Sequence, residues 1–320
     1  MKLGIAVVYL FDEQSELLLD VHLGQIEKYT QVPYTIYGSV NRLAYKFRQR
    51  LAHHPEVRIC ECPETNLRGG DEHAYYLDHL VKIAAEDGAS HIVTLHLDSF
   101  PIRGGWAEEL AGRLSESCVI ATIERINTAC LFFHRDFYLH HCPTFRLSEA
   151  ECADPKYQQY LKQHNPTPHS GVGYGFMAYS KGLSWYYLQD TIGGSQVDRG
   201  KIYDDMIFHL QGAIRLGEGD LEKTGFLYNS AYLRFVHTAT SVCRSLMSVA
   251  IRKFLRAHFA SPIYAFIDRP RELDQAQQIN DIKRQLLHDP ESYLSLLRGK
   301  HNQSRTGKDC TPGSIQGKAR

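Results

Sequence analysis

The chain contains no run approaching the roughly 18 uninterrupted apolar residues that a membrane-spanning helix needs. It carries no surplus of charge: 36 Lys plus Arg are balanced by 36 Asp plus Glu, so the chain as a whole has no general attraction for nucleic acid or an anionic membrane. Its eight cysteines include no C-x-x-C pair, which argues against a zinc module and against a disulfide framework. Reduced, mostly buried thiols are expected, and with them a cytoplasmic protein; Cys60 and Cys62 alternate along one expected strand and share a face there. The apolar opening from Met1 to Phe11 lacks a small-residue cleavage site and runs directly into Asp12-Glu13. It therefore reads as a buried first strand, not a leader. There is no internal repeat.

What is present is an ordinary globular composition, 43% hydrophobic and 22% charged. A chain of 320 residues is long enough for one large domain or two modest ones. Seventeen histidines place some surface charge in the range that titrates near neutral pH.

The first hundred residues alternate strand and helix patterns. Strands are expected over 4–11, 32–37, 56–62 and 91–98, and helices over 17–29, 41–53 and from 69 to about 87, with Gly88 as the stop. A further helix is expected over 106–114. This succession predicts an α/β fold, with a mostly parallel sheet and helices on both faces. The second half is more mixed. Strands are expected over 119–125, 128–134, 176–179 and 202–210, with a short helix over 157–164. From Phe226 the pattern turns helical, with one long or kinked helix over 229–258, a break at Pro262 and one or two helices over 273–297. Residues 300–320 are polar and read as a disordered tail.

In an open α/β sheet, ligands bind outside the carboxyl ends of the strands. Asp98 is expected at such an end, followed by Ser99, Phe100 and Pro101, which stop the strand. A carboxylate there is able to bind a divalent cation and, through it, a diphosphate. The plainer alternative, a helix cap, fits poorly because Gly104-Gly105-Trp106 open the next helix only later.

The segment Leu95-His96-Leu97-Asp98-Ser99-Phe100-Pro101, closing a mostly parallel half, resembles the GT-A glycosyltransferases, particularly the family 2 type. The resemblance spans roughly residues 3–215 and rests on element order and short motifs. It implies a D-x-D motif that holds metal and nucleotide sugar, Mg²⁺ or Mn²⁺ as cofactor, and transfer of a sugar from a nucleotide diphosphate donor to an acceptor hydroxyl. Phe100 stands in place of the second Asp, which puts metal dependence in question while leaving Asp98 against metal or sugar. His96 falls on the same side of a strand as Asp98; it either assists the site or is a packed histidine.

Further residues follow from the same resemblance. Pro168-His169-Ser170-Gly171-Val172-Gly173-Tyr174-Gly175 resembles the glycine-rich loop that approaches the donor, with Gly171, Gly173 and Gly175 permitting positive φ; a plain turn is the alternative. Asp204-Asp205 resemble the pair that supplies a general base, and Asp190, ahead of Gly193-Gly194, competes for that role. His209, followed by Gly212, resembles the late histidine of the metal or pyrophosphate site, with His237 as the alternative. Tyr9 and Tyr37, with Phe11 and Ser39, end the first two strands, where the family's nucleotide base lies, and are candidates to stack on it. Trp185-Tyr186-Tyr187 either line an acceptor pocket or pack in the core. The helix start at Asn66 to His73 offers backbone donors, with Asp71, Glu72 and His73 nearby, that could face the donor; the preferred reading is that its acidic first turn complements the helix dipole.

The expected organisation is a GT-A-like domain over 1–217, a helical extension over 218–299 and the tail. Two other readings stay open: a nucleotidyltransferase, which would need a basic loop where Asp12 to Glu16 is acidic, and a non-catalytic nucleotide-sugar-binding protein with a degraded D-x-D. The expected partners are a nucleotide-sugar donor, an acceptor, and a second copy of the chain through the C-terminal helices, with no nucleic acid.

Overall fold

The computed structural model describes residues 1–10, 16–165, 169–191, 199–213, 248, 251 and 269–306. Its centre is a seven-stranded sheet in the order β3-β2-β1-β4-β7-β6-β8. The strands are β1 (Leu3–Val8), β2 (Tyr34–Ser39), β3 (Val57–Cys60), β4 (His91–Leu95), β6 (Cys118–Ile123), β7 (Asn127–His134) and β8 (Ser184–Tyr187). The first four run parallel, β7 runs antiparallel to both β4 and β6, and β8 is parallel to β6. The helices of the first half are α1 (Glu16–Tyr29), α2 (Tyr45–His53), α3 (Gly70–Glu86) and α4 (Trp106–Gly112).

Why these runs are strands covered on both faces is visible in where alternate residues go. In β1, Leu3, Ile5 and Val7 enter one hydrophobic cluster with Leu18, Leu19 and Ile26 of α1. Ala6 and Val8 enter another with Leu77, Leu80 and Ala84 of α3. The strand β7 divides in the same way, Cys130 and Phe132 to the first core and Leu131 and Phe133 to the second. A period of two through an apolar run therefore feeds two cores at once, and both faces of the sheet must carry helices. Gly88, at φ +76°, ends α3 as expected, in a left-handed conformation that favours glycine.

The second half departs further from expectation. The strand expected over 91–98 ends at Leu95; residues 96–98 turn the chain, and β5 (Ser99–Pro101) joins a separate three-stranded sheet, β5-β10-β9. The single strand expected over 202–210 is a hairpin, β9 (Gly200–Tyr203) and β10 (Ile207–Leu210), because Asp204 and Asp205 take φ of +46° and +53° and reverse the chain. The expected strand over 176–179 lies inside a helix. Four helices, α5 (Arg135–His141), α6 (Glu149–Ala153), α7 (Pro155–His164) and α8 (Val172–Ser180), link β7 to β8. A capping box between Ser148 and Glu151 starts α6, and Asp154 caps α7 with Pro155 at its first turn.

Two C-terminal helices, α9 (Arg269–His288) and α10 (Pro290–Thr306), pack on the first core. Ile279, Leu286, Tyr293, Leu294 and Leu297 share a cluster with Ile207 and Phe208 of the hairpin. The Tyr293 ring lies 6.2 Å from that of Phe208, edge-on. Lys28 Nζ and the Tyr29 hydroxyl each donate to Glu291 Oε1 at 2.8 Å, clasping α10 to α1. The helix α10 continues to Thr306, into the stretch read as tail. Of the helix expected over 229–258 only residues 248 and 251 are described; the rest of it, Pro262 and residues 307–320 lie outside the described residues. No described helix is long and apolar enough to cross a membrane.

Candidate functional site

The chain leaves β4 at Leu95, beside β1, and turns through His96, Leu97 and Asp98 at the carboxyl end of the parallel strands. Ser99 fixes this turn. Its Oγ accepts from His96 N at 2.8 Å and donates to Ala129 O at 2.6 Å, and its own N–H donates to His96 O at 3.0 Å. The buried His22 ring donates from Nδ1 to Ser99 O at 3.0 Å. A turn held by four bonds on one residue presents its side chains with little freedom, which is what a site must do before a ligand arrives.

Asp98 is only 3% exposed and His209 6%. The hairpin brings His209 in: Leu210 N donates to Asp98 O at 2.8 Å, and His209 stands opposite Ser99 in the β5–β10 register. His96 Nδ1 lies 3.8 Å and His209 Nε2 3.9 Å from Asp98 Oδ1. One ligand atom from each of the three falls within 4.8 Å of the others, a grouping able to hold a metal ion. Two imidazole nitrogens and one carboxylate oxygen, converging beside a loop end, are a donor set that fits a divalent cation.

Around this group lie Thr128, which the sequence did not single out, and Ser170 and His73, which it placed near the donor without tying them to Asp98. His96 Nε2 is 2.8 Å from Thr128 Oγ1, which in turn bonds Ser170 Oγ. Thr128 is itself anchored, its carbonyl accepting from Thr94 Oγ1 at 2.8 Å. The His73 ring meets His96 edge-on at 4.9 Å. No sequence pattern links Thr128 or His73 to Asp98; β7 and the start of α3 bring them there.

The other expected site residues are placed differently. The three glycines lie at the start of α8 and not in a loop, and none has positive φ. A Cβ on Gly171 would overlap Ile126 O, one on Gly173 Thr144 O, and one on Gly175 the Tyr160 hydroxyl. These glycines are required by close packing; of their segment, Ser170 is the residue that reaches towards the site. Tyr9 is fully enclosed, edge-on to His22 at 6.1 Å, so its ring offers no face for stacking. Tyr37 is buried against the guanidinium of Arg58 on the α3 side, where burial and the Asp87 carboxylate push its hydroxyl up to about 12. That is the α3 C-terminal end, away from Asp98. Ser39 donates to Asn41 Oδ1 at 3.1 Å, and Asn41 Nδ2 donates to Cys62 O at 2.6 Å, tying β2 to β3. Glu72, read as a dipole complement, is buried and paired with Arg42 at 2.9 Å. Trp185, Tyr186 and Tyr187 form β8 and pack in the cores.

Among the carboxylates, Asp204 Oδ2 accepts from the Tyr186 hydroxyl at 2.9 Å and Oδ1 from Gln189 N at 2.7 Å. With Asp205 it sits at the hairpin tip, the two lying five and four residues along the chain from His209. The Asp190 side chain instead pairs at 2.9 Å with Lys201, the residue opposite His209 in β9. His237, Phe11, Pro168 and Gly193-Gly194 lie outside the described residues.

Burial of His22 also carries a pH dependence. Its imidazole is pulled down from 6.5 to about 4 by desolvation, against the raising effect of the Ser99 carbonyl. The folded state thus prefers the neutral ring, and its contribution is complete above pH 6.5 and lost as pH falls towards 4. A drop of that size is worth on the order of 3 kcal/mol. His91, also lowered to about 4, acts in the same direction. Burial raises Asp78 to about 7, and it acts oppositely, favouring the fold below pH 3.8 and losing that contribution as pH rises through 7. The expected result is that the urea midpoint of Asp78→Asn falls steeply from pH 6.5 to pH 4, while the wild type shows a shallower fall.

No protein-family model and no curated protein matches the chain. Among solved structures, residues 1–349 of S. aureus TarS share 11% identity at a TM-score of 0.42, over 96% of this chain and 92% of that one. A mannosyltransferase from Pyrobaculum calidifontis, in complex with GDP-Man and Mn²⁺, shares 8% identity at 0.41, over 97% of this chain and 76% of that one. Mouse xyloside xylosyltransferase 1 shares 10% at 0.37, over 60% of this chain and 86% of that one. Likeness at this level leaves the functional reading to the chain's own residues.

Proposed function

We propose that the chain binds a nucleotide diphosphate sugar at the carboxyl ends of β1 and β4 and transfers the sugar to an acceptor hydroxyl. The observation that supports this is the meeting of Asp98 and His209 beside β4, where an open α/β sheet takes its ligands. Asp98 and His209 would hold a divalent cation, Mg²⁺ or Mn²⁺. When bound, the cation supplies positive charge against the developing negative charge of a diphosphate leaving group. The chain's own part is to hold those two side chains rigid and nearly out of water. Low exposure strengthens every electrostatic interaction made there. The reading is tested by titrating UDP- and GDP-sugars into the full chain with and without Mn²⁺ and then assaying donor hydrolysis and transfer. Metal-dependent binding with turnover is expected. Binding without turnover across a broad acceptor panel favours a non-catalytic binding protein, and no binding of any nucleotide sugar removes the reading.

For the base we assign Asp190 ahead of Asp204 or Asp205. Both oxygens of Asp204 are engaged in holding the hairpin tip to β8, whereas Asp190 is oriented by Lys201 on the strand facing His209. Asp190→Asn should lower kcat by on the order of 100- to 10,000-fold, while donor affinity stays within about twofold. Asp204→Asn should instead lower the urea midpoint. The reverse pattern, measured by steady-state kinetics and denaturation on both variants, would exchange their roles.

A further inference from the structure

The residue two places after Asp98 faces the core. Phe100 is fully buried, its ring 5.1 Å from that of Phe208. The residue two places before, His96, faces Asp98 and His209. The site's two-residue motif is therefore His96-x-Asp98, and Phe100 is no gap in it. We propose that His96 is a third protein ligand, and that it makes the site select Mn²⁺, Co²⁺ or Zn²⁺ over Mg²⁺; this rests on the reading of Asp98 and His209 as a cation site.

Three features carry the inference. His96 Nδ1 is 3.8 Å from Asp98 Oδ1, the same separation within 0.1 Å as His209 Nε2, so both rings address one carboxylate oxygen. The far nitrogen of His96 is held: Thr128 Oγ1 lies 2.8 Å from Nε2 and bonds Ser170 beyond it. When Thr128 accepts from Nε2–H and donates to Ser170, the Nδ1 lone pair is left towards Asp98, the arrangement by which outer hydrogen bonds orient a ligating imidazole. His73, edge-on at 4.9 Å, fixes the plane of the ring. With two nitrogen donors to one oxygen, the set suits borderline transition cations. Mg²⁺ takes oxygen ligands and gives up its water reluctantly.

The test uses the full chain stripped with a chelator and titrated calorimetrically with MnCl₂, CoCl₂, ZnCl₂ or MgCl₂ alone, without nucleotide. Wild type should bind Co²⁺ and Zn²⁺ at least about 100-fold more tightly than Mg²⁺. His96→Asp should narrow that ratio by about tenfold or more, and Thr128→Val should weaken Co²⁺ by about 10- to 100-fold. The visible spectrum of bound Co²⁺ should change in His96→Asp. Equal wild-type affinity for Mg²⁺ and Mn²⁺, or an unchanged ratio in folded His96→Asp, overturns the role of His96 while the site stands, provided Asp98→Ala still abolishes binding. No heat with any cation overturns the site itself and the selectivity with it. If His96→Asp fails to fold, His96→Asn reads the same ratio and the same Co²⁺ spectrum, and an unchanged ratio there overturns the role of His96 in the same way.

Discussion

Asp98→Ala should lose cation binding by on the order of 100-fold or more, and with it metal-dependent donor binding, while the fold stays intact. Asp98 Oδ1 is the atom that both His96 and His209 address, so its removal takes away the centre of the group and not one arm of it. The backbone consequence is small. The bond that docks the hairpin to the turn runs from Leu210 N to the Asp98 carbonyl, and Ser99 holds the turn through atoms of its own. The Asp98 side chain is also only 5% exposed, so in the absence of a cation its desolvation weighs against the folded state. The variant's urea midpoint should therefore equal or exceed that of the wild type, as when a site is built at some cost in stability. Calorimetric titration with MnCl₂ and a denaturation curve on the same preparation check both halves. Unchanged Mn²⁺ affinity would show that the site is elsewhere.

The parallel half was legible because burial on both faces leaves its mark on composition: runs such as Leu3 to Val8 admit almost nothing polar. Gly88 and the periodicity of α3 gave that helix its end. That Asp98 lies beyond the carboxyl end of β4 was legible for the same reason, although the strand itself stops at Leu95. Its partners were harder. Nothing in a linear pattern says that residues 96–98 form a turn and not two more rungs of strand; that depends on Ser99 reaching Ala129, thirty residues away. The hairpin at Asp204-Asp205 was missed because two acidic residues between apolar ones read as well as a pair of catalytic groups as they do as a left-handed turn. For a related reason the glycines at 171, 173 and 175 read as a loop, whereas they lie at the start of a helix. Glycine is used where backbone must approach a ligand and where it must approach other backbone, and sequence spacing does not separate the two.

Gly173→Ala separates them by sign. In a helix interior that substitution ordinarily stabilises, by about 1 kcal/mol. Gly173 lies in α8 without positive φ, so alanine meets no conformational penalty there. Its Cβ, however, would overlap Thr144 O, a backbone atom that cannot swing away as a side-chain end does. The helix or the 144–147 segment must shift, and the expected loss is about 3 kcal/mol or more. The damage has a route to the site. Two residues earlier, at the cap of α8, Gly171 abuts Ile126 O in the turn before β7, where Arg125 and Ile126 take φ of +61° and +51°. A β-branched residue in that region is strained and persists because its surroundings hold it. The following strand carries Thr128, which meets Ser170 from the start of the same helix and then His96. Gly24→Ala in α1 is the control: nothing lies within 4 Å of the added methyl, and the helix should gain about 0.5 to 1 kcal/mol. Urea midpoints that move in opposite directions for the two variants are the expected result. A Gly173→Ala protein with wild-type stability and weakened donor binding would restore these glycines to the ligand.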